Sequence, residues 1–268
     1  MTAAATLTDL VAPLREDPAH AAVLLDIDGT LAPIVRHAED AAVPEATRAL
    51  LIDVGRRYGL VACVTGRRAT TARRIVSIGS LAYVGSHGGE LLRPGAAGPE
   101  IAPELVEWSR RVREFALEEE TTQVRRARLR LEDKGPIWGF HWRGAPDEDI
   151  AHAAAVEIAT HAEQEGLHVH WGRKVLEIRP PVPVDKGQGV RSLLNGSTMT
   201  TALYCGDDNT DLDAFRAMDE LVEEGTLQCA IRVGVRSEEG PSAIVERADA
   251  VLDGPGEVRD LLRALLKD

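Results

Sequence analysis

Three cysteines in 268 residues, without paired spacing, leave no disulfide framework to read. Cys63, Cys205 and Cys229 all fall inside apolar runs that read as strands, as buried thiols of a reducing compartment would. No apolar run approaches the roughly 20 residues that a membrane span needs. The first residues show no basic segment leading into an apolar stretch with a cleavage site. Positive charge is also short: 31 Lys and Arg against 43 Asp and Glu give a net charge of −12. That balance opposes nucleic-acid binding and gives an anionic substrate no long-range help. These absences lead us to expect a cytoplasmic protein with no membrane and no nucleic-acid partner. Any anion site must be built locally, from a metal, a lysine and backbone N–H groups. The one basic stretch, Arg125-Arg126-x-Arg128-x-Arg130, alternates Arg126, Arg128 and Arg130 with Ala127, Leu129 and Leu131. It reads as a half-exposed strand rather than a polyanion patch.

What is present is ordinary globular material, 44% hydrophobic and 28% charged, enough for one large core or a core with an inserted module. Residues 21–25, 60–64 and 81–84 are continuous apolar runs alternating with helical patterns, which predicts a parallel sheet covered on both faces. A Gly/Pro-rich stretch, Pro94 to Pro99, marks a boundary. Beyond it the pattern predicts a helix over 104–120, strands over about 122–132 and 136–142, a helix over 146–165, and strands near 167–171 and 174–179. Pro180-Pro181-Val182-Pro183 closes this αββαββ module. From Lys186 the βα alternation resumes. We therefore expect an α/β, Rossmann-like core in two parts, 1–103 and 184–268, interrupted by an α+β cap over 104–183.

Two apolar runs end in acid. Residues 21–25 lead into Asp26-Ile27-Asp28-Gly29-Thr30, and 201–205 lead into Gly206-Asp207-Asp208-Asn209-Thr210-Asp211. Side by side in a parallel sheet, these carboxylates need a hard cation among them, most simply Mg²⁺. An EF-hand begun at Asp26 would need glycine where Leu31 stands, so that reading fails. Helix capping accounts for one acid per loop, Asp208 or Asp185, but not for two acids and a following acid.

The functional reading gives each position a task. Asp26 has the placement of a nucleophile able to carry an acyl-phosphate, and Asp28 that of an acid–base group. Gly29 and Thr30 are expected to turn the chain and leave N–H groups free for phosphate oxygens. Thr65 is expected to bind phosphate through hydroxyl and N–H, and Lys186 to neutralise charge on the phosphoryl group and the nucleophile. Asp207 supplies a direct metal ligand, with Asp208 and Asp211 binding through water or orienting Lys186.

The set Asp-x-Asp-Gly-Thr, Thr, Lys, Gly-Asp-Asp-x-x-Asp resembles the four motifs of the haloacid dehalogenase superfamily of phosphotransferases. Gly85-Ser-His-Gly-Gly-Glu90, Glu132-Asp-Lys134 with Phe140-His-Trp-Arg143, and Gly172-Arg-Lys-Val-Leu-Glu-Ile-Arg-Pro180 extend the resemblance to the trehalose-6-phosphate phosphatase family. It implies a Mg²⁺-dependent phosphatase acting on a phosphosugar and metal contacts from Asp26, Asp28, Asp207, Asp208 and Asp211. A functional link to a trehalose-phosphate synthase also follows from it. It further implies core-side substrate contacts from Gly66, Arg67, His87 and Gly88, and sugar recognition by cap residues Glu132, Lys134, Arg143 and Glu177. Pattern alone equally allows those cap residues to be cross-strand ion pairs on an exposed face. His141 suits packing as well as binding, and Trp138, Trp142 and Trp171 are expected in the cap core. Another phosphosugar, such as sucrose phosphate or glucosylglycerol phosphate, fits the same motifs. A non-catalytic phosphosugar sensor fits the fold but would be expected to lose Asp26, Asp28 or Lys186. One departure is Leu212, where the resemblance leads one to expect a further acid.

Overall fold

The computed structural model describes residues 6–35, 40–237 and 240–267. The described chain divides into two compact units, one holding the residues up to Glu100 and from Asp185 onward, the other Ile101–Val184. Among the described residues no helix is long and apolar enough to cross a membrane.

The first unit is built on an eight-stranded sheet. Its elements in chain order are α1 (Leu7–Leu10), α2 (Ala12–Glu16), β1 (Ala21–Leu25), α3 (Glu45–Arg57), β2 (Leu60–Val64), α4 (Ala69–Val76), β3 (Ala82–Gly85), β4 (Glu90–Leu92) and β5 (Glu100–Ile101). The second unit contributes α5 (Pro103–Glu118), α6 (Thr122–Arg126), β6 (Arg130–Asp133), β7 (Trp138–His141), α7 (Glu148–Gln164), β8 (His168–Gly172) and β9 (Val175–Arg179). The first resumes with α8 (Lys186–Leu194), β10 (Thr201–Gly206), α9 (Asp211–Glu223), β11 (Cys229–Arg236), α10 (Ser242–Arg247), β12 (Ala250–Asp253) and α11 (Pro255–Leu266).

Strand order in the large sheet is β12-β11-β10-β1-β2-β3-β4-β5. Pairing is parallel from β12 to β3, and β4 runs antiparallel to β3. Every residue of β1 is buried because alternate side chains enter two different cores. Ala21, Val23 and Leu25 join one, while Ala22 and Leu24 join the other. Such a strand has no solvent face, which is why its sequence is continuously apolar. Leu25 of β1 is in register with Cys205 of β10 and Cys63 of β2. Both thiols are free and buried, and Cys229 is half-buried. Neighbouring β1 and β10 thus end level with each other, and chain reversal at such a position opens a crevice at the carboxyl ends of the strands.

The second unit is a four-stranded antiparallel sheet, β6-β7-β9-β8, with one apolar face. Leu131, Trp138, Phe140, Leu176, Ile178 and Val169 from the sheet pack with Val112 and Phe115 of α5 and Ala151, Ala155 and Ile158 of α7. The expected strand over 122–132 is corrected here. Thr122–Arg126 is a short helix, and only Arg130–Asp133 is strand. Val124, Ala127 and Leu129 all turn into the apolar core, and Arg128 between them takes a left-handed backbone (φ 59°). Burial at positions 124, 127 and 129 outweighs the apparent two-residue alternation, which tertiary packing routinely overrides. Trp138 and Trp142 are in the core as expected, but Trp171 is 42% exposed on β8, an edge strand. It forms a three-ring group with Trp142 and His152.

Candidate active site

The four motifs converge at the carboxyl ends of β1, β2 and β10. Asp26 directly follows β1, is 3% exposed, and donates its N–H to the carbonyl of Cys205 at 2.9 Å. Lys186, the first residue of α8, is 2% exposed and places Nζ 2.9 Å from Asp26 Oδ1 and 2.7 Å from Asp211 Oδ1. Asp208 Oδ1 lies 3.6 Å from the same Nζ. A buried ammonium would lose its proton to desolvation, but Asp211, Asp26 and Asp208 outweigh burial and hold Lys186 well above its ordinary value.

Two glycines allow this crowding. A Cβ at Gly29, whose φ is +87°, would collide with the Asp207 carboxylate. A Cβ at Gly206 would collide with that of Asp211. Asp207 accepts from Thr30 Oγ1 at 3.2 Å. Asp211 is the most heavily bonded of the acids. Its Oδ1 accepts from Lys186 and from the Tyr204 hydroxyl at 2.6 Å, and its Oδ2 from the N–H groups of Asp207 and Asp208, both at 2.9 Å.

The electrostatics call for more positive charge than Lys186 supplies. Burial drives Asp26 well above the usual carboxylate range, with Asp211, Asp208 and Asp207 adding to it and Lys186 opposing. Burial, with Asp211 and Asp208, pushes Asp207 up to about 7. Carboxylate oxygens of Asp26, Asp207 and Asp211 all lie within 4.8 Å of one another, so this triad could hold a metal ion. With both Asp211 oxygens doubly engaged, the less engaged carboxylates in the triad are those of Asp26 and Asp207. Asp211 acts chiefly to fix Lys186 and the turn after β10.

Several expected residues have other engagements. The Asp28 carboxylate lies outside the triad, held bidentately by Arg67 through Nε at 2.6 Å and Nη2 at 2.7 Å. Asp208 accepts from the N–H groups of Thr210 and Asp211 and from the Thr210 hydroxyl, a turn-capping role. Its side chain is about half exposed, and against partial desolvation Lys186 and these bonds draw it down to about 2. Asp185 caps α8 by accepting from the Gln188 N–H at 2.9 Å.

Two expectations about free N–H groups are corrected. Gly29 donates to Ala32 at 2.8 Å and Thr30 to Ile27 at 3.4 Å, because the turn closes on itself. In this turn the N–H groups of Ile27 and Asp28 find no acceptor among the described residues. Thr65 gives its N–H to Val84 at 2.9 Å, and its hydroxyl oxygen accepts from the Arg67 N–H at 3.3 Å. Its hydroxyl proton, not its N–H, is what Thr65 can offer a ligand.

The segment after β3 is strained in support of this loop. Ser86 and His87 both adopt left-handed backbones (φ 53° and 55°), followed by Gly88 at +110°, where a Cβ would collide with the Asp185 carbonyl. The His87 ring lies over Gly66, leaving no room for a side chain there. Glu90, buried in β4, accepts from the Ala69 N–H at 2.8 Å and from Arg68 at 3.2 Å, capping α4.

In the second unit, Glu132, Lys134 and Glu177 gather on the polar face of the sheet. Lys134 Nζ is 2.7 Å from Glu177 Oε1 and 3.7 Å from Glu132 Oε2. His141 joins them, donating from Nε2 to Glu132 Oε2 at 2.6 Å, and Arg179 holds Glu177 Oε2 through Nη2 at 2.6 Å and Nε at 3.1 Å. Arg143 does not join; it is exposed and donates to the Arg173 carbonyl at 3.4 Å. Sequence reasoning missed Tyr204, Glu90 and Arg179. Glu90 closes the Gly-Ser-His-Gly-Gly-Glu motif and Arg179 stands two residues after Glu177, so both had a signal. Tyr204 is one residue of a continuous apolar run and had none.

A family model described as trehalose-phosphatase matches residues 24–248. The probable trehalose-phosphate phosphatase G of Arabidopsis thaliana is 29% identical over 92% of this chain and 68% of its own length. Trehalose-phosphate phosphatase B of the same plant is 32% identical over 74% of this chain, which spans 56% of that relative. Among solved structures, the trehalose-6-phosphate phosphatase C-terminal domain of C. albicans superposes with a TM-score of 0.73 at 20% identity, covering 98% of this chain and 99% of that one. A haloacid dehalogenase-like hydrolase from Bacteroides thetaiotaomicron shares the fold at a TM-score of 0.61 and 14% identity, covering 91% of this chain and 98% of that one. With all four motifs assembled at one sheet edge and the family model spanning most of its length, the chain belongs to the trehalose-phosphatase family.

Proposed function

We propose that the protein hydrolyses trehalose 6-phosphate to trehalose and phosphate through an aspartyl-phosphate on Asp26. The observation that carries the proposal is the buried Asp26 carboxylate, fixed by Lys186 at the end of β1 beside Asp207. Asp26 attacks phosphorus in line, forming an O–P bond as the bond to the sugar oxygen breaks. Asp28 gives a proton to that oxygen, then takes one from the water that cleaves the acyl-phosphate. Arg67 aims the Asp28 carboxylate. Lys186, the Thr65 hydroxyl and the N–H groups of Ile27 and Asp28 stabilise negative charge on the phosphoryl oxygens, where most of the acceleration in phosphoryl transfer arises. Mg²⁺, held by Asp26 and Asp207 with Asp211 behind them, would supply the missing positive charge. The proposed sugar contacts are Glu132, Lys134 and Glu177 of the inserted cap, over 104–183, with Gly66, His87 and Gly88 on the core side.

The deciding measurement is turnover across a panel of phosphate esters with Mg²⁺ and then EDTA. Preference for trehalose 6-phosphate, abolished by EDTA, supports the proposal. Preference for sucrose phosphate or glucosylglycerol phosphate would transfer the same mechanism to another sugar. We also propose a cytoplasmic setting and a functional link to the trehalose-phosphate synthase that makes the substrate.

A further inference from the structure

Glu132, Gly139, Glu177 and His170 stand in register across the four strands of the small sheet, on its polar face. The middle position has no side chain, and a Cβ on Gly139 would sit 3.1 Å from His141 Nε2. Lys134 occupies the space between the two carboxylates and is shared by them. That sharing creates a difficulty for ligand binding. Glu177 is only 5% exposed, and a carboxylate so buried is costly unless a cation stays with it. If Lys134 turned to a sugar hydroxyl with nothing else in place, it would leave Glu177 uncompensated.

Two residues remove the difficulty. Arg179, two positions along β9 and therefore on the same face, holds Glu177 Oε2 through two guanidinium N–H groups, while Lys134 meets Oε1. His141, diagonal to Glu132 across the β6–β7 pair, donates to Glu132 Oε2. His170, opposite Glu177 on the exposed strand β8, is held below its ordinary value by partial desolvation, with Arg179 beside it adding to the effect.

We propose that Arg179 and His141 are positioning residues that keep Glu177 and Glu132 ionised and aimed, freeing Lys134 to engage the substrate's sugar hydroxyls. This rests on the reading of the cap cluster as the sugar-recognition site. Lys134 would then exchange a bond to Glu177 for one to a hydroxyl while each glutamate keeps its other partner.

The test compares trehalose 6-phosphate with a small aryl phosphate in the full chain. Arg179→Met retains the aliphatic stem but removes the paired donors, and His141→Ala removes the donor to Glu132. Each should raise KM for the sugar phosphate about tenfold, as loss of a charge-assisted pair does. The kcat for that ester and both parameters for the aryl ester should stay within about twofold of wild type. His141→Gln, which can donate from its own Nε2, should recover most of the loss, and Arg179→Lys only part, because it lacks the fork. Unchanged KM for the sugar ester, or an equal rise for both esters, overturns the proposal. Should Arg179→Met fail to fold, by circular dichroism, Arg179→Lys and the two His141 variants decide it by the same split. If wild type prefers a different phosphosugar, the substrate reading falls and the positioning roles are measured on that ester instead. If wild type treats sugar and aryl phosphates alike, both fall.

Discussion

The two sheets use their polar residues in opposite ways. In β1, β2 and β10 of the eight-stranded sheet both faces are covered, so a charged side chain of these strands finds room only past the last residue, where the chain leaves the sheet. Asp26, Thr65 and Asp207 all stand there. In the four-stranded sheet one face is open, and Glu132 and Glu177 lie within the strands at ordinary alternating positions. A carboxylate ending a buried apolar run breaks a pattern; a carboxylate on an open sheet face fits one. Chemistry is therefore conspicuous in the first unit and disguised in the second.

The sharpest way to break this comparison is at the end of β1. Asp26→Asn should cut turnover about 10³-fold or more for every phosphate ester while the circular dichroism spectrum is unchanged. Substantial residual activity would remove Asp26 as nucleophile.

Asp207 gives the next largest effect, read as stability. In metal-stripped protein its raised pKa, about 7 against 3.8, means the folded state holds a proton that the unfolded chain releases. Stability should therefore fall as pH rises from about 4 to 7, by a few kcal/mol from this group. Mg²⁺ should restore it at pH 8, and Asp207→Asn should flatten both the pH slope and the Mg²⁺ response in thermal melts. A variant that melts with the wild-type pH and Mg²⁺ dependence would contradict the triad.

In the second unit the expected effects are smaller and selective. Lys134→Ala should raise KM for the sugar phosphate about tenfold and leave the aryl ester nearly untouched. Equal effects on both would make the cluster a surface ion-pair network. The smallest change should come from Arg143→Ala, under twofold in KM, since Arg143 stands apart from Glu132, Lys134 and Glu177. A tenfold effect there would mean that the sugar is read beyond the clustered face.

Much of the first unit was legible in the sequence. The runs at 21–25, 60–64 and 201–205, each ended by a polar group, announce parallel strands with ligands at their ends. The second unit was less so. Arg126, Arg128 and Arg130 imitate a strand because Val124, Ala127 and Leu129 are spaced by a short helix and a left-handed turn, and nothing in the pattern separates the two. Trp171 looks like core until β8 proves to be an edge strand. Glycines mislead in a related way: Gly29 suggested donors left open for phosphate, whereas its φ of +87° serves to admit the Asp207 carboxylate.

By itself the sequence determined which acids, lysine and threonine stand at strand ends, and hence the class of chemistry, because burying a charge mid-strand is too costly to occur by accident. Tertiary structure alone decided how those groups divide their work. It tied Asp28 to Arg67, brought Lys186 to Asp211, and set Lys134 against Glu177. Each of these pairings joins residues far apart in the chain. Hydrogen-bond partners are selected by distance in space, which a linear pattern does not encode.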